Sequence, residues 1–246
     1  MKMAVILNSG TGSRMGELTK TQPKCLVEIT GTETIISRQV KSLQEAGIDK
    51  ILITTGPFSE MLEAYLKRHF EKVNFSFVHN PRYEETNYIY SLLLAADNIL
   101  GALGAGDQLI LLHGDLVYDR AVSEKLLKTP FSDAVLTNPQ VSLPEKDFKA
   151  EIKGGRVKKI GVEVFGEACV FLIPFYKLTR KSFAAWVDQM KNFEKEGRLK
   201  VYAEDALNNI LNELVLHPVP LRNEFCTEID DEEDLAKVKR YLHSET

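Results

Sequence analysis

Directly after the apolar run MAVIL (3–7), the stretch from Asn8 to Lys24 gathers Ser9, Gly10, Thr11, Gly12, Arg14, Pro23 and Lys24. Glycines allow the backbone to approach a ligand closely, and successive N–H groups form a nest for anions. Arg14 adds a planar, permanently charged fork of the kind that grips phosphate. Lys24, held behind a stiffening proline, is suited to offset the repulsion felt when a second phosphate approaches the first. Two familiar phosphate loops do not fit. The string G-x-x-x-x-G-K-[ST] is absent, and Gly10, Gly12 and Gly16 are one residue too long for G-x-G-x-x-G. The second apolar run ends TTGP (54–57), without the acid that would hold a dinucleotide's ribose. The chemistry indicated is binding of a nucleoside triphosphate beside a second phosphate.

A loop of this kind needs a strand before it and a sheet edge to sit on. Strand-like runs at 3–7, 50–55, 74–79, 108–113 and 133–137 alternate with helical patterns at 33–47, 59–71, 88–99 and 120–128. That alternation predicts βαβ units and a mostly parallel sheet covered on both faces. The rhythm then changes. FKAEIKGGRVKKIG (148–161) predicts a hairpin turning at Gly154–Gly155. A strand at 168–173, helices at 176–196, 204–215 and 231–243, and the extended HPVPL (217–221) follow. Phe183, Trp186, Val187, Met190 and Phe193 recur at helical spacing, which predicts a core stripe.

The 246 residues are 44% hydrophobic and 27% charged, with a net charge of −4. This is an ordinary globular composition, and without a basic face nucleic-acid binding is not expected. No apolar run approaches a membrane span, and the opening residues lack the layout of a signal peptide. The three cysteines are too scattered for a disulfide framework or a zinc site. A cytoplasmic location is the expectation. The five histidines form no ligand pair, so no chemistry is assigned to them.

ILNSGTGSRMGELTKTQPKCLVEI resembles the signature of the sugar-nucleotide and related nucleotidyltransferases, L-A-A-G-x-G-x-R followed by P-K-x-L. HNPRYEETNYIYSLLLA (79–95), LLHGDLVYD (111–119) and TEIDDEEDL (227–235) are similar to segments of the small cytidylyltransferases acting on phosphocholine, other phosphorylated alcohols or phosphonates. The resemblance implies an α/β, Rossmann-like fold of the nucleotide-diphospho-sugar transferase type, with a small β-hairpin and helical lid. A single domain is expected, with a nucleotide-binding core (1–140), an acceptor-binding lid region (141–225) and a metal-binding segment with C-terminal helix (226–246). Arg14 and Lys24 are the implied catalytic cations. Asn8, Ser9, Gly10, Thr11, Gly12, Thr55, Gly56, Asn87 and Ser91 would contact the nucleotide, with Asn8-Ser9 standing where Ala-Ala is usual.

Asp115, Glu228 and Asp230 are the expected ligands of Mg²⁺, a hard cation that takes carboxylate and phosphate oxygens. Asp230 has a competing role as the cap of the last helix. Tyr88 and Tyr202, with Tyr83 and Tyr90 as further aromatic candidates, offer faces for an amine. Glu204 and Asp205 are candidates for holding it by charge. The expected reaction is transfer of CMP from CTP to a small phosphate- or phosphonate-bearing acceptor, with release of pyrophosphate. The alternatives are a sugar-1-phosphate nucleotidyltransferase using UTP or dTTP, and a non-catalytic nucleotide sensor. A homodimer is compatible with the sequence, which identifies neither the acceptor nor the oligomeric state.

Overall fold

The computed structural model describes residues 2–143 and 145–244. Strand β1 (Lys2–Asn8) leads into the glycine loop, whose 3₁₀ turns cover Ser13–Thr19 and Lys24–Leu26. A small hairpin, β2 (Glu28–Thr30) and β3 (Glu33–Thr34), precedes helix α1 (Ile35–Glu45). Then come β4 (Lys50–Thr55), α2 (Ser59–His69), β5 (Asn74–His79), α3 (Tyr88–Ala102), β6 (Gln108–His113), β7 (Leu116–Tyr118), α4 (Arg120–Lys128) and β8 (Ala134–Asn138). The later part holds β9 (Lys149–Lys153), β10 (Arg156–Gly161), β11 (Cys169–Thr179), α5 (Arg180–Lys195), α6 (Ala203–Leu207), β12 (His217–Pro220), β13 (Cys226–Glu228) and α7 (Glu232–Ser244).

The principal sheet runs β10-β9-β11-β6-β1-β4-β5, with β8 on β11 and β12 on β8. Its β6-β1-β4-β5 portion is parallel, as the alternating pattern requires. β1 is buried from Met3 to Leu7 because both sheet faces are covered. One apolar core packs α3 and α5 on one face, and a second packs α1, α2 and α4 on the other. A third joins α7 to the glycine loop through Met15, Val27, Ile29, Ile229 and Val238. The chain's last helix is thereby tied to its first loop.

Local chemistry sets several boundaries. Thr34 and Ser37 exchange side-chain and backbone hydrogen bonds at the start of α1, a reciprocal cap. Gly154 and Gly155 sit at φ 59° and 70°, the left-handed pair that a tight hairpin turn demands. The hairpin is hydrogen-bonded into the principal sheet through β9 and β11.

Two helices differ from expectation. Residues 176–179 belong to β11, whose pairing with β6 runs from Phe175 to Thr179, and Thr179 then caps α5 by accepting the Ser182 N–H at 3.1 Å. The predicted 204–215 helix is α6 plus a 3₁₀ turn, because Asn208 clamps the Ile160 backbone with hydrogen bonds of 2.8 and 2.7 Å. Trp186 and its stripe are buried as expected, and the indole N–H donates to the Ala203 carbonyl. Among the described residues no helix is long and apolar enough to cross a membrane.

Candidate active site

The cleft opens at the carboxyl ends of β1 and β6, where Leu7 and His113 are register partners, the position favoured for ligands in open α/β sheets. It has two adjoining lobes that share Leu7, Gly10, Asn87, Tyr88, His113 and Asp115. One continues over Ser9, Asn80, Tyr83, Ser91 and Lys200. The other continues over Thr11, Gly12, Arg14, Lys24, Asp147, Phe148, Tyr202, Glu228 and Asp230.

The glycine loop is built around Lys24. Gly12 lies at φ +65°, and a Cβ there would fall 2.9 Å from the Lys24 Cβ. Its carbonyl accepts the Met15 N–H at 2.9 Å and the Thr19 hydroxyl at 3.0 Å, closing the loop on itself. The Lys24 ammonium reaches Asp115 at 3.0 Å and Asp230 at 3.1 Å. Arg14 takes the other oxygen of Asp230 at 2.9 Å. Lys24 is 13% exposed in its side chain and Arg14 62%, so the lysine is fixed while the arginine is free to turn toward a ligand. Burial alone would lower the lysine's pKa, but the two carboxylates hold it above the ordinary value.

Asp115 follows Gly114, whose backbone packs so closely on β1 that a Cβ would meet the Leu7 carbonyl at 2.8 Å. Glu228 arrives from the β7–β13 ribbon, where it pairs with Leu116. Asp231, not Asp230, caps α7, accepting the Glu233 and Asp234 N–H groups at 2.9 and 3.1 Å. Asp230 is therefore left to the cleft. Ligand atoms of His113, Asp115 and Glu228 lie within 4.8 Å of one another. His113 was assigned no chemistry from sequence; its signal was its place in LLHGD, two residues before Asp115.

The donor set fits a cation. Among the described residues Asp115 Oδ1 is buried without a partner, the sort of orphan that an ion satisfies. Burial, then the charges of Asp115, Asp147 and Asp230, push the Glu228 carboxyl well above the usual carboxylate range. Burial also raises the pKa of Asp115, but Lys24 and then His113 outweigh it and hold that carboxyl low. Carboxylate oxygens clustered in this way are the donors that a hard cation prefers.

The remaining sequence candidates divide. Ser9 donates to Ser91 at 2.6 Å, and Asn80 donates to Ser91 at 3.0 Å, beneath the first lobe. Asn87 caps α3, accepting the Tyr88 N–H at 2.7 Å, and lines both lobes. The Asn8 amide donates to the buried Cys25 sulfur, which ties it under the loop. Thr55 is buried, and Gly56 packs on the Ser9 carbonyl, where a Cβ would come within 2.2 Å. Both support the loop from below and line neither lobe.

Glu204 is 1% exposed, with one oxygen accepting from Tyr176 at 2.9 Å and the other from Tyr88. It holds Tyr88 in place and does not face the cleft. Asp205 accepts the Tyr202 N–H at 3.0 Å, and Tyr90 lies under Arg82. Tyr88, Phe148 and Tyr202 form an aromatic wall, with Phe148 and Tyr202 edge to face at 4.9 Å and Tyr88 against the His113 ring at 4.7 Å. Phe148 and Asp147 were not found from sequence, because they belong to the segment without a motif.

The MobA-like NTP transferase domain matches residues 4–196, from β1 past the end of α5. The chain belongs to this family. The chain is 32% identical over 135 residues to the CTP:phosphoglutamine cytidylyltransferase of Campylobacter jejuni, spanning 55% of this chain and 52% of that protein, about half its length. It is 26% identical over 242 residues, 97% of each chain, to the choline-phosphate cytidylyltransferase of Haemophilus influenzae. The solved CTP:phosphocholine cytidylyltransferase of Streptococcus pneumoniae has the same fold, with a TM-score of 0.77 at 23% identity over 98% of this chain and 99% of that one. The nucleotidyltransferase class expected from the glycine loop is thus shown by the family match over residues 4–196.

Proposed function

We propose that the chain is a cytidylyltransferase, moving CMP from CTP to a phosphate or phosphonate oxygen of a small acceptor. An acceptor oxygen forms a bond to the α-phosphorus, the α–β bridging P–O bond breaks, and pyrophosphate leaves with the electron pair. The attacking oxygen is already ionised at neutral pH, so no general base is required, and catalysis comes from positioning and charge. The observation that carries this reading is Lys24, a buried ammonium held at 3.0 Å against Asp115, the carboxylate that lines both lobes. From there it would offset the charge of a donor phosphate and an acceptor phosphate brought together.

The Gly10–Gly12 backbone and Arg14 bind the triphosphate. Asp115 with Glu228 and Asp230 would hold Mg²⁺, which neutralises phosphate charge when bound. Ser9, Asn87 and Ser91 line the first lobe, which would take the base. Tyr88, Phe148 and Tyr202 offer ring surface to a cationic head group, and a relative named for choline phosphate supports that choice, as one named for CTP and phosphoglutamine supports the nucleotide. The test is pyrophosphate release with Mg²⁺ from CTP, UTP, ATP, GTP and dTTP against phosphocholine, 2-aminoethylphosphonate, polyol phosphates and hexose 1-phosphates. CTP-dependent release with an amine- or polyol-bearing acceptor is expected. Release only from UTP or dTTP with a hexose 1-phosphate would overturn the base and acceptor assignment together.

A further inference from the structure

Asp115 depends on a turn that cannot hold itself. Between the end of β6 and the start of β7, the chain turns at Gly114-Asp115. Gly114 N–H donates to the Leu7 carbonyl at 2.9 Å, and the Asp115 carbonyl accepts the Ile229 N–H at 3.0 Å. The two carbonyls that bracket the turn, those of His113 and Leu116, both accept from one side-chain nitrogen. It is Nε2 of Gln39, on the buried face of α1, at 3.0 and 2.8 Å.

Gln39 is 1% exposed, and among the described residues its own side-chain oxygen is buried without a partner. A buried amide left half satisfied is costly unless its other half does something an apolar residue cannot. Here that something is gripping both ends of the turn that aims Asp115. Its neighbour Arg38 holds the far end of β7 through the Tyr118 carbonyl and Asp119, so α1 clamps this strand along its length.

We propose that Gln39 is a positioning residue for the cation-binding carboxylate Asp115, an inference that rests on the reading of Asp115 as that ligand. Groups that orient a metal ligand from behind typically change metal affinity by about 10- to 100-fold when removed. Gln39→Leu keeps the shape and deletes both donated bonds, and Gln39→Asn keeps the amide on a shorter stem. Ser42→Ala is the matched control: Ser42 is also a buried polar residue of α1, but its hydroxyl meets Ser123 on α4 at 2.9 Å and leaves the turn alone.

The probe is Mn²⁺, titrated by electron paramagnetic resonance into each folded protein, alone and with CTP, alongside the kcat and KM of pyrophosphate release. The expected result is Mn²⁺ binding weakened about tenfold or more in Gln39→Leu and less in Gln39→Asn, with Ser42→Ala unchanged. Turnover should fall mainly in kcat at fixed Mg²⁺ and recover partly as Mg²⁺ is raised. Wild-type Mn²⁺ affinity in Gln39→Leu, or an equal loss in Ser42→Ala, would reduce Gln39 to a fold residue and overturn the proposal. So would failure of the wild-type protein to bind Mn²⁺ in either state. Mn²⁺ binding without pyrophosphate release would count against the transferase reading while leaving the role of Gln39 standing.

Discussion

The two ends of the cleft are built differently. At the phosphate end, Lys24 is held by Asp115 and Asp230, and Arg14 reaches the other oxygen of Asp230. The loop there closes on itself through Gly12, and α7 packs beneath it through the third core. At the aromatic wall, Tyr202 is 39% exposed and Phe148 is held by ring contacts with Tyr202 and His113. That wall is assembled from the start of α3 (Tyr88), the residue before β9 (Phe148) and the residue before α6 (Tyr202). The difference teaches a division of labour. The charged end is preorganised, which would leave little reorganisation for a reaction there, while the other end is an aromatic wall in which Tyr202 is exposed and Phe148 buried.

The largest expected effect comes from the preorganised end. Lys24→Ala should lower kcat by about 100-fold or more, measured as pyrophosphate release at saturating CTP, with the circular dichroism spectrum unchanged. Wild-type turnover in that folded variant would remove Lys24 from the mechanism. Gly12→Ala comes next. Its new methyl group is forced both into a left-handed backbone and against the Lys24 stem at 2.9 Å, so the KM for CTP should rise and thermal stability should fall by about 1 kcal/mol or more. An unchanged KM would mean that the loop tolerates a shifted lysine.

At the aromatic wall, Tyr202→Ala should raise the KM for a cationic acceptor by about fivefold, the scale of a cation–π contact of roughly 1 kcal/mol. The KM for CTP should stay constant. Equal losses for CTP and acceptor would erase the distinction between the two ends.

The smallest effect is far from both. Glu224 is paired with Lys125 at 2.7 Å and accepts the Arg222 N–H at 2.8 Å. Burial would raise its carboxyl, but these partners bring it down to about 2. A carboxyl lowered on folding stabilises the protein above its unfolded value of about 4.3, and that contribution is lost as pH falls toward the folded value. Glu224→Gln should cost less than about 1 kcal/mol at pH 6 in urea unfolding. The gap to wild type should narrow as pH is lowered from about 4 to about 2. A gap independent of pH would show that the pair contributes by packing.

How much of this was legible follows from how local each feature is. The glycine loop, the Gly154–Gly155 hairpin and the βαβ alternation depend on neighbours a few residues away, and period and turn chemistry report them directly. Asp115, Glu228 and Asp230 were approached through short motifs, although their meeting depends on β7 pairing with β13 from the other end of the chain. His113, Asp147, Phe148 and Gln39 carried no such mark. Their roles come from juxtapositions that no local pattern encodes: a helix amide beneath a distant turn, and two strand-end rings across a cleft. Glu204 shows the converse. Its place at the start of a helix beside Tyr202 suggested an acceptor contact, but Tyr176 and Tyr88 close over it from β11 and α3.

The most direct test of the central claim is the ³¹P spectrum of the wild-type protein mixed with CTP, Mg²⁺ and phosphocholine or 2-aminoethylphosphonate. The account predicts that the triphosphate resonances give way to free pyrophosphate and a coupled pair from a new P–O–P linkage between CMP and the acceptor. Pyrophosphate or phosphate appearing with free CMP and an unchanged acceptor signal would mean hydrolysis, and would contradict a cleft organised to bring two phosphates together.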